Sequence, residues 1–181
     1  ALEEDEILAK YVVYMPMTTI PSAQGFSDQL KLEFKQWISK NKNGFSKRTF
    51  IQPSPEEQKS ACEKKFTISE EINGKDIYLI DDSIVRGNTM KTIIKILKEK
   101  GAGKIHVRIM SPIIKSLCYF GVNMAQRKDH LIGFCRDTED IRKIIDVESL
   151  KFMKVETVKY IMGNDICTSC FDGKYDKNLL W

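Results

Sequence analysis

The hydrophobic pattern is clearest in the middle of the chain. Ile77-Tyr78-Leu79-Ile80 is wholly apolar, which predicts a strand buried on both faces. Met90, Ile93, Ile94 and Leu97 then recur at i, i+3, i+4 and i+7, and Gly101 stands where a helix C-terminus needs a residue of positive φ. Ile105, Val107 and Ile109 alternate as a second strand, with Pro112 beyond it. Strand, helix, strand is a βαβ unit, so the two strands are expected to run parallel and to be joined by a right-handed crossover.

The flanking pattern is less regular. Val12-Val13-Tyr14-Met15 is a short β-prone run ending at Pro16. Thr18, Thr19, Pro21, Ser22 and Gly25 read as a loop over 17–25. Phe26, Leu30, Phe34, Trp37 and Ile38 have helical spacing and predict an amphipathic helix over 26–38. The polar, basic stretch 39–46 reads as a mobile loop, and 47–51 as a short strand ended by Pro53 and Pro55. A charged helical stretch follows, with Cys62 and Phe66 on one side. Short helices are expected over 138–145 and 155–162, before a polar, cysteine-bearing tail over 163–181.

The chain has 181 residues, of which 42% are hydrophobic and 30% charged. Those values suit one soluble domain with a real core. There is no apolar run of the length a membrane helix needs, so no membrane partner is expected. The acidic start, Leu2-Glu3-Glu4-Asp5-Glu6, resembles neither a signal nor a transit peptide. The net charge of +4 is spread out, and Lys40, Lys42, Lys47 and Arg48 form only a short cluster. That argues against nucleic acid as a partner and leaves small anions open. Five cysteines, an odd number, point to a reducing, cytoplasmic setting and to thiols or metal ligands.

The candidate chemistry lies between the buried strand and its helix, in Asp81-Asp82-Ser83-Ile84-Val85-Arg86-Gly87-Asn88-Thr89. Ligands of open parallel sheets sit at the carboxyl ends of strands. Two adjacent carboxylates there match the vicinal hydroxyls of a ribose, or a hydrated divalent cation. Ser83 and Thr89 offer hydroxyls, Gly87 permits close backbone approach, and the helix N-terminus follows; together they make a phosphate cradle. Caps and turns use the same residue types, so composition alone leaves a plain βα loop open. The loop is neither a Walker A sequence nor a dinucleotide fingerprint.

The stretch 77–89, IYLIDDSIVRGNT, closely resembles the phosphoribosyl-pyrophosphate (PRPP) signature of amidophosphoribosyltransferases. The similarity continues in 47–53 (KRTFIQP), 101–112 (GAGKIHVRIMSP), 118–122 (CYFGV) and the C-terminal Cys167-Thr168-Ser169-Cys170-Phe171 with Gly173-Lys174-Tyr175. The resemblance implies a type I phosphoribosyltransferase-like parallel sheet flanked by helices, with the cysteine-bearing tail, spanning 1–181 as a partial domain. It implies formation of phosphoribosylamine and pyrophosphate from PRPP and ammonia, the first step of de novo purine synthesis. Asp81 and Asp82 would hold the ribose hydroxyls and Mg²⁺, and Ser83 to Thr89 the 5-phosphate. Lys42 and Arg48 fall on basic positions of the family's flexible loop and would act in catalysis. Cys118, Cys167 and Cys170 match three of four ligands of the [4Fe–4S] cluster that some members carry; either Cys62 or Cys135 supplies the fourth, or the set is incomplete and the thiols are a relic or bind zinc. A homo-oligomer is implied, together with a glutaminase domain or subunit that this stretch does not contain. His106 and His130 have no role to fill and are expected to be structural or on the surface.

The pattern departs from the family on the pyrophosphate side. Met17 stands where Asp is usual, Gly44 and Gln58 where Arg is usual, and Glu63 reverses a charge. Asn88 replaces Thr in the phosphate loop. Two other functions therefore stay open: a non-catalytic module that binds PRPP, and a phosphoribosyltransferase that salvages a base.

Overall fold

The computed structural model describes residues 7–41, 64–122 and 127–175. Its centre is the strand β5 (Ile77–Asp81), in which Ile77, Tyr78, Leu79 and Ile80 are all fully buried. Alternation divides them. Ile77 and Leu79 join the larger core with Val13, Ile93, Leu97 and Val107; Tyr78 and Ile80 join a smaller one with Val12, Tyr14 and Ala23. β1 (Tyr11–Tyr14) and β6 (Ile105–Ile109) flank β5, and β2 (Glu33–Lys35) and β7 (Ser149–Phe152) complete the sheet. The order is β2-β1-β5-β6-β7, with every neighbouring pair parallel. The parallel sheet flanked by helices that the sequence predicts is therefore present.

α2 (Asn88–Glu99) connects β5 to β6 and buries Met90, Ile93, Ile94 and Leu97, the residues whose spacing predicts it. α3 (Thr138–Ile145) has a capping box: the Asp137 carboxylate accepts the Asp140 N–H at 2.8 Å, and the Asp140 carboxylate accepts the Asp137 N–H at 3.3 Å. α4 (Val155–Met162) buries no residue, and α5 (Ser169–Asp172) is a single turn in the tail. No helix among the described residues is long and apolar enough to cross a membrane.

The first quarter of the chain differs from its pattern. The helix is α1 (Ile20–Leu30), not 26–38, and it takes in most of the expected loop. Pro21 lies in its first turn, where the missing N–H costs nothing, so a residue read as a breaker is a helix start. Lys31, left-handed at φ 55°, ends it, and the Leu32 N–H returns to the Ser27 carbonyl at 2.9 Å. Phe34 then sits in β2 and stacks on Tyr14 with ring centroids 4.8 Å apart. Ile38 begins β3 (Ile38–Lys40), which pairs antiparallel with β4 (Phe66–Ile68). Residues 39–40 are thus strand rather than mobile loop, and Ile38 and Phe66 are strand rather than helix. Pairing across strands overrides a local helical spacing in both places. β7 had no clear signal, because its alternation spans only four residues.

Two polar side chains are buried on the smaller-core face. Arg108, fully buried, donates to the Val107 carbonyl and to Ser149 Oγ, both at 2.9 Å, and lies 5.0 Å over the Tyr78 ring. His106 Nδ1 is 2.9 Å from the same Ser149 Oγ. His130 is exposed in a short 3₁₀ turn.

Because Leu79 is sealed by both neighbouring strands and by α2, Leu79→Ala should destabilise the fold by about 2–5 kcal/mol. A urea-denaturation midpoint close to wild type would show that β5 is not the structural centre.

Candidate functional site

The chain leaves β1 through α1 toward β2 on one side of the sheet, then returns to β5 and proceeds through α2 toward β6 on the other. The sheet's order therefore reverses between β1 and β5. A crevice opens at such a point beyond the carboxyl ends of the two strands. The end of β1 supplies Met15 to Thr18, and the end of β5 supplies Asp81 and Asp82. The pairing runs one step past the ladder, with the Met15 N–H on the Ile80 carbonyl at 3.0 Å. Thr18 Oγ1 donates to Asp82 Oδ2 at 2.5 Å across the crevice. Met17, where the family pattern has Asp, is 67% exposed and offers a thioether where a carboxylate is usual.

The strand ends at Asp81, and the charge of Asp82 still acts on the Asp81 carboxyl. The Asp82 N–H donates to Asp81 Oδ1 at 2.9 Å, and Ser83 Oγ donates to Asp82 Oδ1 at 3.2 Å. Burial, then the charge of Asp82, push the Asp81 carboxyl up to about 7; the Asp82 N–H opposes them. Asp81 thus pays to ionise without a cation beside it. Two carboxylates alone do not make a cage, but Mg²⁺ characteristically takes one or two carboxylates and completes its shell with water and substrate phosphates. The pair fits such a cation.

Ser83 to Thr89 form a loop with a buried floor. Ile84 points into the core, and the Val85 carbonyl accepts the Ile132 N–H at 2.8 Å. Gly87, at φ +80°, occupies the N-cap position of α2 and provides no side-chain cap to the first turn. A Cβ at Gly87 would collide with Ile132 Cδ1. The segment around Ile132 is therefore a brace beneath the loop. No periodicity or motif marks Ile132 or Thr18 in the sequence; only the tertiary fold brings them to the site. Arg86 and Thr89 are half-buried and Asn88 is exposed on this loop.

The tail cysteines come together. The N–H groups of Lys115 and Ser116 both donate to the Cys170 carbonyl, at 2.9 and 3.0 Å, and the Tyr175 hydroxyl donates to the Leu117 carbonyl. Burial pushes the Cys170 thiol up, and the nearby Cys118 and Cys167 push it further. The Tyr175 hydroxyl is pushed up to about 12, first by burial and then by Cys170, Cys118 and Cys167. Yet among the described residues no three His, Cys, Asp or Glu side chains are set to hold a metal ion. Cys135 is exposed, at a left-handed φ of 55°. The described donors do not fit the four-thiolate set of a [4Fe–4S] cluster. Lys42, Arg48, Gly44, Gln58, Cys62 and Glu63 lie outside the described residues.

No protein-family model matches the chain. It is 42% identical over 171 residues to the amidophosphoribosyltransferase of Methanothermobacter thermautotrophicus, covering 92% of this chain and 35% of that protein. It is 36% identical to the amidophosphoribosyltransferase of Methanocaldococcus jannaschii, covering 96% of this chain and 36% of that protein. Glutamine PRPP amidotransferase from B. subtilis, complexed with ADP and GMP, superposes with a TM-score of 0.80 at 32% identity, over 95% of this chain and 39% of that one. The chain belongs to the amidophosphoribosyltransferase family. It spans about a third of the length of the relatives it matches. The parallel sheet and its flanking helices are those of the solved amidotransferase.

In this family member a side chain at residue 87 would be strained by the positive φ and would have to displace the Ile132 Cδ1 methyl. Gly87→Ala should cost about 1–3 kcal/mol through the positive φ and the clash with Ile132, and should weaken ligand binding. Wild-type denaturation and binding by that variant would remove Ile132 as the brace. Asp81 gives a pH signature. Its carboxyl holds a proton in the folded state up to about 7, whereas in the unfolded chain it loses that proton near the ordinary value of 3.8. Between those values the folded state binds more protons, so its contribution to stability falls as pH rises through the window. Asp81→Asn should therefore stabilise the ligand-free protein at pH 8 and change it little at pH 4; equal effects at both would contradict the raised carboxyl.

Proposed function

We propose that this chain is the phosphoribosyltransferase part of an amidophosphoribosyltransferase, forming 5-phosphoribosylamine and pyrophosphate from PRPP. The observation that carries the proposal is the placement of Asp81-Asp82 beside the Ser83–Thr89 turn, at the reversal point of the sheet. A pair of acceptors next to a phosphate cradle suits a ribose carrying a 5-phosphate.

In this reading Asp81 and Asp82 accept the ribose 2′- and 3′-hydroxyls and help hold Mg²⁺, and the backbone from Ser83 to Thr89 surrounds the 5-phosphate. Magnesium, when bound, would neutralise charge building on the departing pyrophosphate. The family resemblance gives Lys42 and Arg48 the role of adding positive charge against the departing pyrophosphate. Ammonia attacks C1, a C–N bond forms, the C1–O bond to pyrophosphate breaks, and the extra proton passes to solvent. Ammonia is already nucleophilic when neutral, so no general base is required. Excluding water from the crevice favours ammonia over hydrolysis. The relatives' length supports a separate glutaminase domain as the ammonia source in the whole protein. A cytoplasmic homo-oligomer is consistent with the family. The cysteine trio is assigned no step in the reaction; if a cluster forms with a fourth ligand, chemical assay of iron and sulfide in anaerobically purified protein will register it.

A second reading has its own observation. Met17, exposed at the end of β1, gives the pyrophosphate side no carboxylate. A binding module without turnover would tolerate that loss.

Calorimetric titration with PRPP and Mg²⁺, followed by ammonia-dependent pyrophosphate release, separates the two. Binding with turnover supports the enzyme, binding without turnover supports the module, and no binding removes both. Replacing Asp81 and Asp82 together by Ala should abolish binding, because charged acceptors contribute roughly 1.5–3 kcal/mol per hydrogen bond.

A further inference from the structure

Asp82 is exposed, yet its carboxylate is held from two sides before any ligand arrives. Ser83 Oγ, its neighbour in the chain, donates to Oδ1, and Thr18 Oγ1, 64 residues away in sequence, donates to Oδ2. The Thr18 contact is a short, charge-assisted bond. The backbone beneath it is firmly placed. Thr19 is 1% exposed, its hydroxyl donates to the Met15 carbonyl, and its own carbonyl accepts the Ala23 N–H at 2.9 Å. Met15 is in turn registered on Ile80 through its N–H. The hydroxyl of Thr18 is therefore presented by the joined ends of two central strands rather than by a free loop.

An ionised carboxylate has about four lone-pair sites, so two donors leave acceptor capacity on both oxygens. Those remaining sites are aimed by the two hydroxyls. We propose that Thr18 is a positioning residue: it fixes the rotamer of Asp82 and so sets the affinity of that carboxylate for the ribose hydroxyls or cation of PRPP. The proposal rests on the PRPP reading. Thr18 acts through Asp82 and touches no reacting atom. It also assigns a part to the β1–α1 loop in which Met17 does not take part. The loop that lacks the usual carboxylate still contributes, by orienting a carboxylate from the neighbouring strand.

The test uses Thr18→Val, which keeps the shape and removes the donor, and Thr18→Ser, which keeps the donor. PRPP affinity at saturating Mg²⁺ should fall about fivefold or more in Thr18→Val and stay within about twofold of wild type in Thr18→Ser. Alongside, Thr18→Val, Asp82→Ala and the double variant are compared by urea denaturation without ligand. Their effects should be less than additive, because the second substitution finds the bond already gone. Wild-type affinity in Thr18→Val, an equal loss in Thr18→Ser, or full additivity in the cycle would each overturn the proposal. If the wild-type protein binds no PRPP, the functional reading falls on that result alone. The ligand-free cycle then decides separately whether Thr18 anchors Asp82: non-additivity retains the anchor and additivity removes it.

Discussion

Burial of β5 on both faces is the constraint from which the rest of the architecture follows. A strand with no face toward water needs a neighbour on each edge and a layer over each side. β1 and β6 occupy the edges, and α2 covers one side with Met90, Ile93, Ile94 and Leu97. The other side carries Tyr78 and Ile80, packed with Val12, Tyr14 and Ala23 of β1 and α1. Arg108 shares this face, its guanidinium lying over the Tyr78 ring. Once β1 and β6 lie on opposite edges of β5, the connections must depart in opposite directions. The crevice at the ends of β1 and β5 is a consequence of packing as much as of function.

The site uses that crevice by accepting local cost. Asp81 sits where burial and a neighbouring charge oppose its ionisation, and Gly87 holds a positive φ that a side chain would strain. The first is unfavourable in the empty protein, while the second leaves the backbone open. In the proposed function a cation would offset the repulsion between the carboxylates, and the open backbone at Gly87 would let an anion approach the start of α2. The relation is the usual one between a rigid scaffold and a site that departs from local stability rules.

The tail follows a different logic. Tyr175, Tyr119 and Phe120 pack around the segment that bears Cys118, and the backbone of 115–116 is tied to Cys170. These contacts hold the three thiols near one another whatever they bind. Burial raises the Cys170 thiol and the Tyr175 hydroxyl, so a metal entering beside Cys170 would have to displace its proton.

Periodicity alone was sufficient for β5, α2 and β6, because an apolar run, a 3.6-residue stripe and a Gly-marked end are local signals. α3 and α4 also match the expected 138–145 and 155–162, although the hydrophobic period is weaker there. The Asp81-to-Thr89 motif was also legible, since its residue types carry their chemistry with them. Residues 20–40 were misread: Phe34 and Ile38 have helical spacing but are strand residues, held by Tyr14 and by β4. Local sequence cannot anticipate a partner strand that comes from elsewhere in the chain. The central βαβ unit and the residue types of its loop are legible in the sequence alone. Only the tertiary structure decided that β1 lies beside β5, that Thr18 reaches Asp82 and that Ile132 supports Gly87. Those contacts join residues tens of positions apart, and they exist only because one doubly buried strand must be enclosed from both sides.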